Sequence, residues 1–210
     1  MPSQDATTIQ DVTRTQDLIA AERFELAELL SGLTEQQWDA PSLCTGWRVR
    51  EVVAHMTLAF RHGEHDYPLE ALSSPEEVNR AADEWARRDA ARLTPAGLVT
   101  SLRENARHPW RPGGLLEGAL THDVVHGLDI TLALGIDRRV PLDRLRMVLD
   151  TLVPDRYTFF GTELSDIELR AQDLDWRFGK GRPYRAPAQR LVLLLCGRVH
   201  AGNKPGARTR

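Results

Sequence analysis

His122 and His126 stand four residues apart in the stretch THDVVHGLDITLALG (121–135). On a helix that spacing puts both imidazoles on one face, one turn apart and pointing the same way. Two ring nitrogens so placed are what a cation takes from a single helix. Tetrahedral zinc then needs a third protein ligand from a neighbouring helix and, for chemistry, an open fourth position. His55 is the natural third, because it flanks the apolar stripe of Val49, Val52, Val53 and Met56, where a side chain can lean inward. Asp129, three residues past His126 on the same face, is placed to accept from the second nitrogen of a ligand ring and so fix its tautomer. The spacing alone is also compatible with hydrogen-bonded histidines that hold no ion. His62 and His65, in RHGEHDY, read as a surface cluster or a solvated helix end, and His108 before Pro109 reads as loop.

The elements that must position these residues are helical through the first 150 positions. From about Thr8 to Leu33, Ile9, Val12, Leu18, Ile19, Leu26, Leu29 and Leu30 recur at helical spacing, closed by Gly32. Thr34 with Gln37 forms a capping-box signature for one short turn before Pro41. Thr45-Gly46 is expected to open a second long helix carrying His55, with Val49, Val52, Val53, Met56, Ala59 and Phe60 on one face. Ser74-Pro75-Glu76-Glu77 and Thr94-Pro95 each place a cap before a proline at the first helical position. The loop HPWRPGG (108–114) precedes a helix from about Leu115 to Leu134, stopped by Gly135. That helix is apolar nearly all round, which places it centrally in a bundle, and Gly127 beside His126 permits close packing. A further helix begins at Pro141 and is expected to end before Pro154.

Past residue 165 the period changes. Ile167, Leu169 and Ala171 alternate with polar residues, as do Leu174, Trp176 and Phe178, which predicts two short strands and a turn at Gly179-Lys180-Gly181. Pro187 starts a last helix through LVLLLC, and the tail AGNKPGARTR is expected to fray. The expected fold is mainly α: a four-helix bundle with additional helices over 1–160, and a small α+β C-terminal segment over 161–210 packed on it.

Composition narrows the function. Hydrophobic residues at 41 % and charged residues at 27 % are globular proportions, which excludes a disordered or fibrous chain. A net charge of −3 leaves no basic excess for nucleic acid or an anionic membrane. No stretch approaches the roughly 18–20 apolar residues of a membrane span, and the start MPSQDATTIQDVTR lacks the apolar core of a signal peptide. A soluble, cytoplasmic protein with two reduced cysteines, Cys44 and Cys196, is expected. There is no G-x-S-x-G, G-x-G-x-x-G, H-E-x-x-H or C-x-x-C motif.

Three strings carry a resemblance. LTEQQWDAPSLCTGWRVREVVAHM (33–56) resembles the N-terminal signature of the mycothiol-dependent maleylpyruvate isomerase family, within the DinB-like superfamily. THDVVHGLDITLALG (121–135) resembles that group's second signature, and AQDLDWRFGKGRPYRAPAQRLVLLLCGR (171–198) its C-terminal segment. The resemblance implies a DinB-like bundle holding a divalent metal, usually zinc with nickel or iron as alternatives, on His55, His122 and His126. One departure is notable. The isomerase itself has a glutamate where this chain has His122, which makes a bound metal one charge more positive and argues against maleylpyruvate as the substrate.

The implied chemistry follows from such a site. A thiol entering an open position on zinc is bound as thiolate, since coordination lowers its pKa below the free value of about 8.5. The resemblance implies mycothiol as the thiol cosubstrate, used for S-transfer or cis–trans isomerisation of a small electrophile. Arg198, directly after the apolar last helix, is the catalytic candidate for anchoring an anionic substrate; Arg48, Arg50, Arg107 and Arg111 are weaker ones. Two other readings compete. Water in place of thiol would make the site a metal-dependent hydrolase, and a filled site would make a non-catalytic metal- or small-ligand-binding stress protein. The partners expected are a small-molecule substrate and a low-molecular-weight thiol, without nucleic acid or membrane. A homodimer is compatible with apolar outer faces, though the sequence marks no interface.

Overall fold

The computed structural model describes residues 4–62, 74–156 and 166–200. His65 and the segment 201–210 lie outside the described residues. The chain forms two compact units, Met1–Arg138 and Arg139–Arg210.

The first unit is helical. It contains α1 (Gln4–Ser31), α2 (Glu35–Trp38), α3 (Val49–Met56), α4 (Leu58–Arg61), α5 (Pro75–Arg92), α6 (Pro95–Glu104), a 3-10 turn (Pro112–Gly114) and α7 (Leu116–Ala133). α1 packs on α6 and α7, and α3 packs on the same two, so these four close a bundle while α5 lies against α3. Its core interleaves Leu26 and Leu30 of α1 with Val49, Val52, Val53 and Met56 of α3, Leu98 and Leu102 of α6, and Ile130 of α7. This is the expected four-helix bundle with additional helices. Among the described residues, no helix is long and apolar enough to cross a membrane.

The start signals act as their chemistry dictates. Gln37 N–H donates to Thr34 Oγ1 while Thr34 N–H donates to the Gln37 side chain, a complete capping box. Ser74 Oγ accepts from Glu77 N–H, and Thr94 Oγ1 from Gly97 N–H. Each cap satisfies one of the orphan donors of a helix start and contributes about 1 kcal/mol.

The second helix departs from expectation at both ends. Gly46 adopts φ +80, a turn that holds the chain out of helix until Val49. Arg48 is the N-cap, and Glu51 Oε2 accepts its N–H at 2.8 Å. At the other end α3 stops at Thr57, whose hydroxyl donates back to Val53 O at 2.9 Å and Ala54 O at 3.1 Å. That competition with the helix ladder divides the expected long helix into α3 and α4.

The second unit holds α8 (Leu142–Arg156), β1 (Ile167–Ala171), β2 (Arg177–Gly179), β3 (Arg182–Ala186) and α9 (Ala188–Leu195). α8 continues through Pro154 rather than stopping before it. A proline in the last turn forfeits one N–H near an end where the ladder is already running out. β3 was not expected. Its Pro183 removes a ladder donor, yet the strand lies at the edge of a sheet ordered β2-β1-β3, where a proline is tolerated. β1 pairs antiparallel with β2 and parallel with β3, so Lys180-Gly181 carries the chain past the start of β1. A Cβ on Gly181, at φ +120, would lie 2.1 Å from Asp166 O, so only glycine passes there.

Candidate metal centre

α3 delivers His55 and α7 delivers His122 and His126, and one ligand atom from each lies within 4.8 Å of the others. The Nε2 atoms of His55 and His122 face each other at 3.1 Å. Two nitrogens at bond lengths of about 2.0–2.1 Å on a tetrahedral zinc would stand roughly 3.3 Å apart, so the pair is spaced to share a cation. The rings of His55 and His126 meet edge to face, with centroids 5.1 Å apart. Borderline imidazole donors of this kind suit zinc, nickel and iron, and the residues present fit the cation the resemblance implies.

A small residue beside the α7 histidines lets α1 pack close to them. Gly127 follows His126, and a Cβ there would come within 2.8 Å of Leu26 Cδ2 and of Arg138 Nη1. Gly127 thus admits α1 against α7, as its position suggested.

Each histidine of α7 has a carboxylate behind it. His126 Nδ1 lies 3.2 Å from Asp129 Oδ2, the partner expected from the i, i+3 spacing. His122 Nδ1 lies 3.0 Å from Asp123 Oδ1, a contact the sequence reading did not anticipate. Asp123 is itself held by Arg23 of α1, whose Nε donates to Asp123 Oδ2 at 2.7 Å, with neither side chain exposed. Cys44, read as an uninvolved thiol, donates from Sγ to Asp129 Oδ2 at 3.0 Å and stands 3.6 Å from His126 Nδ1. Cys44, His126 and Asp129 make a second cluster of ligand atoms sharing one histidine with the first.

Two tryptophans line the set. The Trp47 ring lies 5.1 Å from that of His55, and Trp110 stands edge-on to His122 at 4.9 Å. Trp47 is fixed from behind by Asp83 of α5, whose Oδ1 accepts its Nε1–H at 2.5 Å. Arg87 pairs with the same carboxylate and donates to Gly46 O at 2.9 Å. No motif announces these partners; only the bundle brings them to the ligands.

Burial sets the protonation states. Desolvation, reinforced by the neighbouring His122 and His126, lowers the His55 pKa well below the ordinary imidazole value. Desolvation also lowers that of His122, against the opposing effect of its hydrogen bond to Asp123. For Asp123 burial acts upward, but the Arg23 charge and the hydrogen bonds from His122 and Arg23 together bring it below the ordinary carboxylate value. His55 and His122 are therefore neutral imidazoles near pH 7, and Asp123 is an anion.

The remaining candidates are placed elsewhere. His62 caps α4 and contacts Asp89 Oδ2 at 2.7 Å, a carboxylate that Arg61 also engages. His108 accepts from Trp110 N–H at 3.2 Å. Arg48 pairs with Glu51 and Asp39, Arg50 with Asp39 and Glu35, and Arg107 with Asp17, so these three are committed to ion pairs. Arg198 follows α9 in the second unit, where its N–H donates to Leu193 O and its guanidinium to Cys196 O.

A comparison with protein families bears on the part of the chain that carries His55. Residues 19–109, from α1 through α6 to the loop after it, match the family described as Mycothiol maleylpyruvate isomerase N-terminal domain. Two solved structures, of the mycothiol-dependent maleylpyruvate isomerase and of a variant of it, resemble the chain with TM-scores of 0.53 and 0.51. Each is 15 % identical to it and covers 90 % of both chains. The chain thus shares the fold of those isomerase structures over the aligned length. No curated protein matches the sequence.

Proposed function

We propose that this protein is a metal-dependent enzyme that uses a low-molecular-weight thiol, of the mycothiol class, for S-transfer to, or cis–trans isomerisation of, a small electrophile. The observation that carries the reading is the convergence of three imidazoles from α3 and α7 within 4.8 Å, in a chain whose residues 19–109 match a mycothiol isomerase domain. His55, His122 and His126 are the assigned ligands and zinc the assigned metal.

A divalent cation bound there supplies a charge that holds a thiol as thiolate at neutral pH. The protein's own residues do the rest. His122 and His126 keep 14 % and 15 % of their side-chain surface exposed, so a thiol and its departing proton have a route between solvent and the site. Trp47 and Trp110 present ring edges and faces to the histidines, giving an electrophile an apolar wall and keeping bulk water off one side. In isomerisation the thiolate adds to an activated alkene, the new single bond rotates, and expulsion of the thiolate restores the double bond. In S-transfer the new carbon–sulfur bond is kept and a leaving group departs.

The deciding experiment is metal content per chain, measured on tagless wild type and on His55→Ala, followed by turnover with and without added thiol. About one equivalent in wild type and almost none in the variant, with thiol-dependent turnover, is expected. Thiol-independent hydrolysis would reassign the protein as a metal hydrolase. Metal without turnover would make it a binding protein, and no metal after adding zinc would remove the reading altogether.

A further inference from the structure

Three imidazoles at one point are not held alike. The difference lies in what stands behind each ring, and it originates about a hundred residues away in sequence, at Arg23 of α1.

Asp123 has one oxygen on His122 Nδ1, at 3.0 Å, and the other on Arg23 Nε, at 2.7 Å. Arg23 in turn donates from Nη1 to the carbonyls of Asn105, Ala106 and His108 at 3.2, 3.3 and 3.2 Å, and its guanidinium lies over the Phe60 ring at 4.6 Å. The cation is thus tied to the end of α6 and the loop beyond it, and the carboxylate is tied to the cation. An ionised carboxylate only accepts hydrogen bonds, so the proton between Asp123 and His122 sits on Nδ1 and leaves Nε2 a bare lone pair. Asp129 does the same for His126 through Nδ1, at 3.2 Å.

His55 has no such support. Its Nδ1 is buried and has no hydrogen-bond partner among the described residues. Facing a bare His122 Nε2 at 3.1 Å, the metal-free His55 carries its proton on Nε2 and donates it across the gap. To ligate through Nε2 it must carry that proton on Nδ1 instead, where no described residue accepts it.

We propose that Asp123, immobilised by Arg23, is a positioning residue that presents the His122 lone pair, and that the metal centre is asymmetric, with His122 and His126 tautomer-locked and His55 the weakly held ligand. This rests on the reading of the three histidines as a metal site. A carboxylate behind a ligand imidazole is worth about 10- to 100-fold in metal affinity in comparable centres. Because two ligands are supported and one is not, loss of His55 is expected to cost less affinity than loss of His122.

The test uses the full chain stripped of metal and titrated with Zn²⁺ against a competing chelator, and with Co²⁺ for its visible spectrum. Asp123→Asn keeps the shape but offers an amide that can donate to Nδ1, favouring the wrong tautomer. It should weaken Zn²⁺ binding by about 10- to 100-fold and alter the Co²⁺ bands, while Asp123→Glu recovers part of the loss. His55→Ala should bind more tightly than His122→Ala. Wild-type affinity and spectrum in folded Asp123→Asn would overturn the positioning role, and a His55→Ala affinity at or below that of His122→Ala would overturn the asymmetry.

If Asp123→Asn fails to fold, long-range ¹⁵N–¹H spectra of the metal-free wild type decide. Protons on Nδ1 of His122 and His126 and on Nε2 of His55 are expected, and Nε2–H on His122 would sink the proposal. Failure of wild type to bind either ion would instead remove the metal reading, and the tautomer spectra would still report whether Asp123 orients the ring.

Discussion

Arg23 and Asp123 meet in a charged pair with Nε and Oδ2 2.7 Å apart and no solvent on either side chain. A pair this deep costs several kcal/mol per ion to desolvate, so its net contribution to stability is small, but removing one member strands the other. Arg23→Met should therefore destabilise the fold by about 3–5 kcal/mol, read as a shift in urea midpoint. The double variant Arg23→Met/Asp123→Leu should recover much of that loss while remaining weak in Zn²⁺ binding, because His122 has lost its acceptor. Recovery of both stability and metal affinity would show the pair to be packing alone.

The buried imidazoles predict how the metal-free protein responds to acid. His55 and His122 have folded-state pKa values below the ordinary one, chiefly through desolvation. The unfolded chain protonates both near pH 6.5, while the folded chain resists. Stability contributed by keeping them neutral is thus fully present above about pH 6.5 and is lost as pH falls below it toward the folded values. The urea midpoint of the metal-free protein should be level from pH 7 to 8 and decline below 6.5, before ordinary carboxylates titrate. His55→Gln should flatten that decline. An unchanged slope would place these rings in solvent-like surroundings.

The spacing of the histidines is legible because it is local. An i, i+4 pair on an apolar helix and a histidine flanking an amphipathic stripe are visible to anyone counting residues, and so is the i, i+3 carboxylate Asp129. Arg23 and Trp47 were not, since their partners lie 100 and 36 positions away in the chain and only the closed bundle joins them. Asp123 was missed for the opposite reason. Adjacent side chains on a helix point in different directions, so sequence neighbours are not read as partners, yet His122 Nδ1 and Asp123 Oδ1 meet at 3.0 Å. The break at Thr57 and the strand behind Pro183 were hidden by residues that usually signal something else: a hydroxyl that donates backward, and an imino acid confined to an edge.

Trp47 offers a readout of the wall rather than the ligands. Its Nε1–H donates to Asp83, and Arg87 and tryptophan hydrogen bonds keep that carboxyl below its ordinary range. Trp47→Phe removes the donor and part of the ring beside His55, costing about 0.5–1.5 kcal/mol for the hydrogen bond. Metal stoichiometry should stay at the wild-type value while KM for the electrophile rises. Loss of metal in this variant would mean that Trp47 holds His55 in place instead of lining the substrate side.

Gly181 tests the second unit. The chain leaves β2, passes the start of β1 and enters β3 on the far side, with Gly179 at φ +86 and Gly181 at φ +120. An added Cβ at Gly181 would meet Asp166 at O, C and Cα within 2.1, 2.3 and 2.7 Å, all backbone atoms that cannot turn aside. Gly181→Ala carries the left-handed penalty of about 1–2 kcal/mol for an L-residue, and the clash adds to it. The parallel pairing of Leu169 with Tyr184 should be lost, seen as disappearance of their cross-strand amide contacts by NMR, while the antiparallel pairing of Leu169 with Phe178 survives. Metal binding by the first unit should be unaffected, since all three ligands lie before Arg138. Retention of the β1–β3 contacts in Gly181→Ala would show that the crossing can be made by another route.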